Sequence, residues 1–295
     1  YAANRMGPYV NAGLFEDISD MWSNGDLPGL DAVKGAMTID GKQWGVPYTY
    51  YQWGIYHRAD IMAELGLSEP ATFEEELSNC QAILDSGRKC YSIGSKYLWT
   101  AGGWFDYLNM RTNGFDFHMA LARGEVSWTD DRVRETFANW RKLIDMGAYI
   151  DDHQTHSWQE ALPFVVKGEA TAYLIGNFAV PHLREAGLTD DQLDFYQFPK
   201  IADVAMGEDA PTDTFHIAKN ASNKEAARAF LQYVTSADVQ TEINGPDGLG
   251  QLPVNANSSV ADDKFIQQGF EMLSNNATGG IAQFFDRDFT AEMAS

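Results

Sequence analysis

The sequence has few cysteines, little positive charge and no long hydrophobic run. Its two cysteines, Cys80 and Cys90, do not show the Cys-x-x-Cys spacing or any other zinc-ligand spacing. Lys and Arg total 21 against 42 Asp and Glu, which gives a formal net charge of −21. This excess of negative charge argues against nucleic acid or an anionic membrane surface as a partner. No apolar run approaches the ~18 residues that a transmembrane helix requires.

The composition that is present indicates a globular protein with substantial cores. Hydrophobic residues make up 44% of the chain and aromatic residues 13%, while 21% are charged. At roughly 100–200 residues per domain, the length allows two domains. The chain starts at Tyr1 without an initiator Met or a signal-type segment. This start predicts a processed chain or an internal portion of a longer protein.

The stretch at residues 41–57 is rich in strand-favouring aromatic residues. Five aromatic rings lie between Tyr48 and Tyr56, and a strand directs alternate side chains to opposite faces. Pro47 removes a backbone donor and Gly54 closes the segment, so the pattern predicts a broken strand that crosses between two lobes. Aromatic rings with polar edges suit carbohydrates, because sugar C–H faces stack on π surfaces and hydroxyl groups form hydrogen bonds. A Tyr-rich core strand is the alternative interpretation.

Elsewhere the sequence alternates predicted helices and strands, which is typical of an α/β architecture. Capping boxes at residues 72–75, 157–160 and 222–225 predict three helix starts. Strands are predicted at residues 90–93 and 170–175.

Two further helices follow from apolar spacing. One is predicted over residues 130–146. Its predicted inward face consists of Val133, Phe137, Trp140 and Ile144. The other is predicted to begin at Trp104, which leaves Trp99 in a preceding loop flanked by glycine.

The two cysteines are predicted to form a disulfide in an oxidising compartment, whereas in a cytosol both would be thiols. They bracket the end of a helix and the start of a strand, joined by a turn at Gly87. That arrangement can bring their Cα atoms within ~7 Å of each other.

Motifs of common enzyme classes do not occur in the sequence. It has no Gly-x-Ser-x-Gly, phosphate-loop or dinucleotide fingerprint. Residues 151–156 contain two Asp and two His. The segment is a predicted loop, without the regular spacing of a helix that would bring these side chains to one ion, so a solvated loop is predicted rather than a metal site. A carboxylate pair could serve a glycoside hydrolase, yet no two of the many acidic residues are singled out.

Several segments follow one another in an order that matches a known family over nearly the whole chain. They are residues 45–48 (GVPY) with 54–56 (GIY), 72–77 (TFEEEL), 157–161 (SWQEA), 168–170 (GEA), 176–178 (GNF), 223–227 (NKEAA) and 249–253 (LGQLP). Together they resemble the extracellular solute-binding proteins of sugar ABC transporters, the group that contains maltose-type binding proteins. His57 and Arg58 depart from the Tyr-Asn usual in that family. The family's first strand–helix–strand portion and its last helices have no counterpart in the sequence.

This resemblance implies an α/β fold of the two-lobe periplasmic-binding-protein type (type II), with the ligand cleft between the lobes. Residues 1–52 and 213–258 are expected to form the first lobe, and residues 53–212 and 259–295 the second. The implied role is the substrate-binding component of an ABC importer, which captures a mono- or oligosaccharide without catalysis, cofactor or metal.

The resemblance also implies partners and a location. The expected partners are a carbohydrate ligand and the transmembrane subunits of an ABC permease, without nucleic acid, and the protein is expected to be a monomer. Its expected location is periplasmic or extracellular, with a lipid anchor as an option in the full-length protein. The alternative functions are a glycoside hydrolase and an amino-acid or peptide receptor, and the wealth of aromatic residues argues against the receptor.

Resemblance and residue chemistry together predict a set of ligand contacts. The set is Asn4, Arg5, Tyr50, Tyr51, Trp99, Trp158, Asn177, Phe178, Asp213, Asp286 and Arg287. Tyr48 and Trp53 could equally line the site or belong to a core. Trp158 could either stack on a sugar or act as a hydrophobic staple.

The polar members of the set have a chemical reason and an open alternative. Asn4 and Arg5 follow an expected strand end, but they could equally form a capped turn. Asp213 lies near the expected return crossover and could accept sugar hydroxyls. Asp286 and Arg287 could form a polar fork for vicinal hydroxyls, with a surface salt bridge as the alternative.

Overall fold

Helices and strands alternate along the chain in a computed structural model that describes residues 2–275 and 279–290. The α-helices are α1 (Gly7–Asn11), α2 (Ser19–Ser23), α3 (Ala59–Glu64), α4 (Phe73–Asp85), α5 (Trp99–Asn113), α6 (Phe115–Ala122), α7 (Asp131–Met146), α8 (Trp158–Val166), α9 (Ala179–Glu185), α10 (Lys224–Val234), α11 (Ala237–Ile243), α12 (Lys264–Asn275) and α13 (Phe285–Asp288). Short 3-10 helices cover Ala3–Met6, Asp31–Met37 and His153–Thr155. No helix in the described ranges is long and apolar enough to cross a membrane.

The strands are short, and those in the described residues form one sheet of four strands and three pairs. They are β1 (Thr38–Ile39), β2 (Lys42–Gln43), β3 (Val46–Tyr50), β4 (Trp53–Arg58), β5 (Lys89–Ser92), β6 (Ala170–Gly176), β7 (Leu193–Tyr196), β8 (Glu208–Asp209), β9 (Thr212–Phe215) and β10 (Ile281–Ala282).

The largest sheet has four strands in the order β5-β6-β4-β7. β4 runs antiparallel to both of its neighbours, with Trp53 opposite Gly176 and Ile55 opposite Tyr196, whereas β5 and β6 are parallel. Every residue of β4 and β6 is buried. Helices therefore cover both faces of these central strands, as the near-continuous apolar sequence of β6 indicates.

The first half of the aromatic stretch forms a separate ladder. β3 pairs with β9 in antiparallel register, with Val46 opposite Phe215 and Tyr50 opposite Thr212. The register shifts between Pro47 and Thr49. This shift confirms the predicted interruption at Pro47, since proline cannot donate a ladder hydrogen bond.

Hydrophobic residues gather in distinct clusters on the two sides of this stretch. A first cluster surrounds Val46 and includes Met21, Leu30 and Ile217. A second, larger cluster surrounds the four-stranded sheet, and a third lies between α5, α6 and α7. The half-buried Tyr50 packs against both the first and the second cluster, and Tyr51 and the apolar residues of β4 belong to the second.

Two of the three predicted capping boxes are confirmed. The side chains of Thr72 and Ser157 each accept a hydrogen bond from the backbone N–H of the Glu three residues later. The side chain of that Glu accepts a hydrogen bond from the backbone N–H of the Thr or Ser. The third box is wrong, because Asn223 rather than Ser222 caps α10 and accepts from the Ala226 backbone N–H at 3.2 Å. Asn223 lies one position closer to the helix, where its side chain has the spacing that capping requires.

The predicted inward face of α7 is only partly right. Val133 is buried, but Phe137 is 46% exposed and Ile144 49% exposed. The other buried positions are Thr136, Asn139 and Leu143. Thr136 donates to Asn109 and Asn139 donates to Thr112, so polar contacts between α7 and α5 decide which face packs inward.

The predicted loop around Trp99 is also wrong, since Trp99 is the first residue of α5. The helix runs straight through Gly102 and Gly103, which the sequence pattern reads as a loop. A Cβ atom at Gly103 would lie 2.8 Å from the Trp53 ring. The glycine is therefore explained by close packing against β4 and not by a helix break.

The predicted disulfide is confirmed. Cys80 in α4 and Cys90 in β5 are bonded, with their Cα atoms 5.3 Å apart. The bond ties a covering helix to the edge of the four-stranded sheet.

Candidate functional site

A cavity of about 560 Å³ lies between the β3–β9 ladder and the second hydrophobic cluster. Its wall combines aromatic rings with two arginines and two aspartates. The lining residues are Arg5, Tyr48, Tyr51, Trp53, Trp99, Trp158, Phe178, Asp213, Thr214, Gln251, Phe284, Asp286 and Arg287.

Aromatic rings from β4, α5, α8 and the segments that follow β3 and β6 form much of the cavity wall. Trp53 at the start of β4 meets Trp99 edge to face, with ring centroids 5.8 Å apart. Phe178 contacts Tyr51 at 5.2 Å and Trp158 at 5.1 Å, both edge to face. These rings are fixed by one another, so the wall is formed before any ligand arrives.

The turn after β6 brings Phe178 into this wall. A Cβ atom at Gly176 would lie 2.3 Å from the Phe178 ring and 3.1 Å from Tyr51. Only glycine leaves room there, so the Gly-Asn-Phe sequence at the end of the strand positions an aromatic residue at the cavity.

Arg287 is a charged group of the same cavity wall. Its guanidinium donates to the Thr212 carbonyl, to the Tyr51 hydroxyl at 3.1 Å and to the Asp213 carboxylate at 2.9 Å. Burial alone would lower the pKa of Arg287, but Tyr51 and Asp213 raise it overall. The guanidinium is therefore charged and oriented by three partners.

Tyr51 is held in its neutral form beside this arginine. Burial raises the pKa of Tyr51 to about 12, although Arg287 partly opposes that shift. The hydroxyl accepts from Arg287 and retains its own proton, so it can donate to a ligand oxygen.

The second charged pair joins the start of the chain to α13. Arg5 forms an ion pair with Asp286, whose carboxylate also lies 3.7 Å from Arg287 Nε. Arg5 belongs to the 3-10 helix Ala3–Met6, which is far from α13 in sequence. The pair therefore links distant parts of the chain across the cavity.

Two buried carboxylates fix the helix that carries Asp286 and Arg287. The Asp106 carboxylate accepts from the Phe285 backbone N–H at 2.6 Å, and Asp288 accepts from the Gln283 N–H at 2.6 Å. Burial raises the pKa of Asp288 to about 6, and hydrogen bonds from the backbone N–H groups of Gln283 and Phe284 partly oppose the shift. The short helix is thus anchored by its side chains as well as by its backbone.

The cavity brings together most of the predicted ligand contacts. Those that line it are Arg5, Tyr51, Trp99, Trp158, Phe178, Asp213, Asp286 and Arg287. Asn4, Tyr50 and Asn177 do not line it. Asn4 is exposed and donates to the Asp288 carbonyl at 2.6 Å. Asn177 is fully buried, with its backbone N–H bonded to the Gln52 carbonyl.

Sequence reasoning did not include several lining residues. The sequence pattern is equally compatible with Tyr48 and Trp53 in a core. Tyr51 and Trp53 are two residues apart in extended backbone, so their side chains point to the same face and both line the cavity. Gln251 lies in the LGQLP segment that carries part of the family resemblance. Thr214 and Phe284 carry no sequence signal, because their position depends on the ladder and on α13.

A second cavity of about 550 Å³ adjoins the first and shares Arg5, Trp99 and Asp286 with it. Its wall is mostly aromatic. The aromatic side chains are Tyr97, Trp99, Phe105, Trp128, Phe137, Trp140 and Phe285.

The residues of the His- and Asp-containing segment 151–156 do not line either cavity. His153 Nδ1 is hydrogen-bonded to Ser95 Oγ at 2.7 Å. No group of three metal-ligating side chains occurs among the residues that the structure describes.

Comparison with known proteins gives relatives over nearly the whole chain. Residues 2–241 match the family model described as "Bacterial extracellular solute-binding protein". An uncharacterised ABC transporter extracellular-binding protein of Pyrococcus horikoshii is 23% identical over 94% of the chain. A "Multiple sugar-binding protein" of Streptococcus mutans is 22% identical over 77% of it. The chain spans 62% and 54% of the length of these two relatives.

Solved structures share the fold. The bacterial solute receptor AcbH, described as preferring β-D-galactopyranose exclusively, superposes with a TM-score of 0.88 at 26% identity. That match covers 100% of this chain and 75% of AcbH. A chitin oligosaccharide binding protein superposes with a TM-score of 0.87 at 18% identity, covering 99% of this chain and 74% of that protein.

Proposed function

The chain belongs to the family of bacterial extracellular solute-binding proteins, and from that premise we propose that it is the substrate-binding component of an ABC importer for a mono- or oligosaccharide. The observation that carries the proposal is the cavity, whose wall combines aromatic rings with two arginine–aspartate pairs. A pyranose ring has apolar C–H faces and a rim of hydroxyl groups, and this wall matches both.

The polar side of the cavity suits hydroxyl groups in particular. Carboxylate oxygens of Asp213 and Asp286 accept hydrogen bonds, while guanidinium N–H groups of Arg5 and Arg287 donate them. A hydroxyl group is both donor and acceptor, so one hydroxyl can be bound between the members of a pair. Sugar binding by AcbH, the relative of 26% identity, supports the same ligand class.

The size of the ligand follows from the two cavities. The first, at about 560 Å³, has room for more than one sugar ring, and the second adjoins it at Trp99. This continuity supports an oligosaccharide as well as a monosaccharide ligand.

The division into lobes is part of the proposal. Residues 1–52 with 213–258 are proposed as the first lobe, and residues 53–212 with 259–295 as the second. The change of hydrophobic cluster between Tyr50 and Tyr51 supports the first crossover. Closure of the lobes on the ligand would present the protein to the transmembrane subunits of a permease.

The proposed working form is a monomer in the periplasm or outside the cell, with a lipid anchor in the full-length protein as an option. The disulfide between Cys80 and Cys90 supports an oxidising compartment, where such bonds persist.

Binding without catalysis is proposed over glycoside hydrolysis. A hydrolase needs one protonated carboxyl group and one ionised carboxylate beside the bond that breaks. Both carboxylates among the described cavity residues are engaged in ion pairs with arginine. This pairing supports a role in holding hydroxyl groups.

A thermal-shift screen over mono- and oligosaccharides, followed by calorimetric titration, tests the proposal. A saturating sugar ligand is expected to raise the melting temperature, because it binds only the folded state. Chromatography of the recovered ligand is expected to show it intact. Cleaved product would favour the hydrolase, and a shift with amino acids or peptides alone would favour that class of receptor.

A further inference from the structure

We propose that the cavity selects uncharged sugars and rejects their uronic acid and amino sugar counterparts. This inference rests on the proposed sugar-binding function and specifies the ligand class. The positive and negative side chains of the cavity wall are equal in number. Among the described residues that line the first cavity, the charged side chains are Arg5, Arg287, Asp213 and Asp286.

Each arginine in this wall is already paired with an aspartate. Arg287 is bound to Asp213 at 2.9 Å and is further committed to the Tyr51 hydroxyl and the Thr212 carbonyl. Arg5 is paired with Asp286. Because both positive charges are compensated within the protein, neither is left over to neutralise an anionic ligand.

An anionic sugar would enter at a cost. Its carboxylate would lose hydration in the cavity and would lie close to Asp213 or Asp286, which repel it. An amino sugar meets the converse problem, since its ammonium group would approach Arg5 or Arg287.

An uncharged sugar meets no such cost. Neighbouring hydroxyl groups can donate to the aspartate and accept from the arginine of the same pair, and the pair stays neutral. Selectivity then comes from exclusion of charged analogues as much as from attraction of the neutral one.

Matched ligands test this inference in the wild-type protein. The probes are galactose, galacturonate and galactosamine, with glucose, glucuronate and glucosamine as a second series, titrated by calorimetry at pH 7. The neutral member of the series that binds is expected to have a Kd at least about tenfold lower than either charged member. A uronate or amino sugar bound as tightly as its neutral counterpart would overturn the inference and leave the proposed sugar-binding function intact.

A pair of variants at Asp213 tests the cause. Asp213→Asn removes one carboxylate and leaves Arg5 and Arg287 to share Asp286, so the wall gains one net positive charge. The preference for the neutral sugar over the uronate is therefore expected to shrink by about tenfold or more. Asp213→Glu keeps the charge and is expected to retain the preference, even where both affinities fall. Melting temperatures of the two variants establish that both are folded.

If the ratio of the uronate Kd to the neutral-sugar Kd were the same in the Asp213→Asn and Asp213→Glu variants, the charge balance would not set the selectivity. That result would overturn the inference. Failure of the wild-type protein to bind any sugar, including oligosaccharides, would count against the proposed function and against this inference with it. The two failures are distinguished by whether the neutral sugar binds.

Discussion

At the residue scale, Trp99 contributes to the cavity wall without being fully buried. Trp99→Ala is expected to weaken sugar binding by about 1–2 kcal/mol, roughly five- to thirtyfold in Kd, because an aromatic stack and its buried area are lost. Calorimetric titration with the sugar found by screening measures the effect.

The matched control for that variant is Trp104→Phe in the same helix. Trp104 is fully buried between Tyr91 and Phe198, and it does not line the cavity. The control is expected to lose about 1–3 kcal/mol of unfolding free energy with unchanged affinity. If instead Trp99→Ala loses stability and keeps its affinity, Trp99 serves the core and not the ligand.

At the scale of elements, the disulfide links α4 to β5. Replacing both cysteines by serine is expected to lower the unfolding free energy by about 2–3 kcal/mol, because the unfolded chain is no longer restricted by the closed loop. Urea denaturation of both proteins without reductant gives the difference. Sugar affinity should be unchanged, since neither cysteine lines the cavity. Equal stability of the two proteins would contradict the prediction.

The contact between α4 and β7 makes stability depend on pH. Glu76 is buried in α4, where burial raises the pKa of its carboxyl group to about 8 while hydrogen bonds from the Tyr196 hydroxyl oppose the shift. The folded state therefore retains a proton that the unfolded chain releases near pH 4.5. The contribution of Glu76 to the free energy of unfolding is fully present below pH 4.5, and it is lost as the pH rises to about 8.

Glu76→Gln isolates this contribution. At about 1.4 kcal/mol per pKa unit, the wild-type protein is expected to lose up to about 4 kcal/mol relative to the variant between pH 4.5 and pH 8. Denaturation curves for both proteins across this range measure the difference. A difference that stays constant with pH would show that Glu76 is ionised in the folded protein.

At the scale of the whole molecule, the cavity wall comes from segments far apart in the chain. Tyr48 of β3 stacks on Phe215, which packs against the first cluster, whereas Trp53 belongs to the second cluster and Trp99 packs against it. Ligand bound between them would contact both sides, so its binding free energy is expected to favour a closed arrangement.

Solution scattering of the full-length protein tests closure directly. A saturating sugar is expected to reduce the radius of gyration and to change tryptophan emission, because Trp53, Trp99 and Trp158 line the cavity. The control is a sugar that produces no thermal shift. An unchanged scattering curve despite proven binding would exclude closure and leave sugar binding in place.

The sequence by itself determined the fold class, the interrupted strand at Pro47, two capping boxes and the disulfide. The interrupted strand, the capping boxes and the disulfide depend on residues close together in the chain, where turn chemistry, capping geometry and short loop closure are local, whereas the fold class follows from motifs in order along nearly the whole chain. It also identified Arg287, Phe178 and Trp99 as candidates, through residue chemistry and family resemblance.

Only the tertiary structure decided how these candidates meet. Arg5 reaches Asp286 across nearly the whole length of the sequence, and Thr214 and Phe284 enter the wall because β9 and α13 place them there. The helix start at Trp99 was hidden because the glycine that suggests a loop is required by packing against Trp53. Such contacts depend on distant partners, and a local pattern contains no information about which partners a residue will meet.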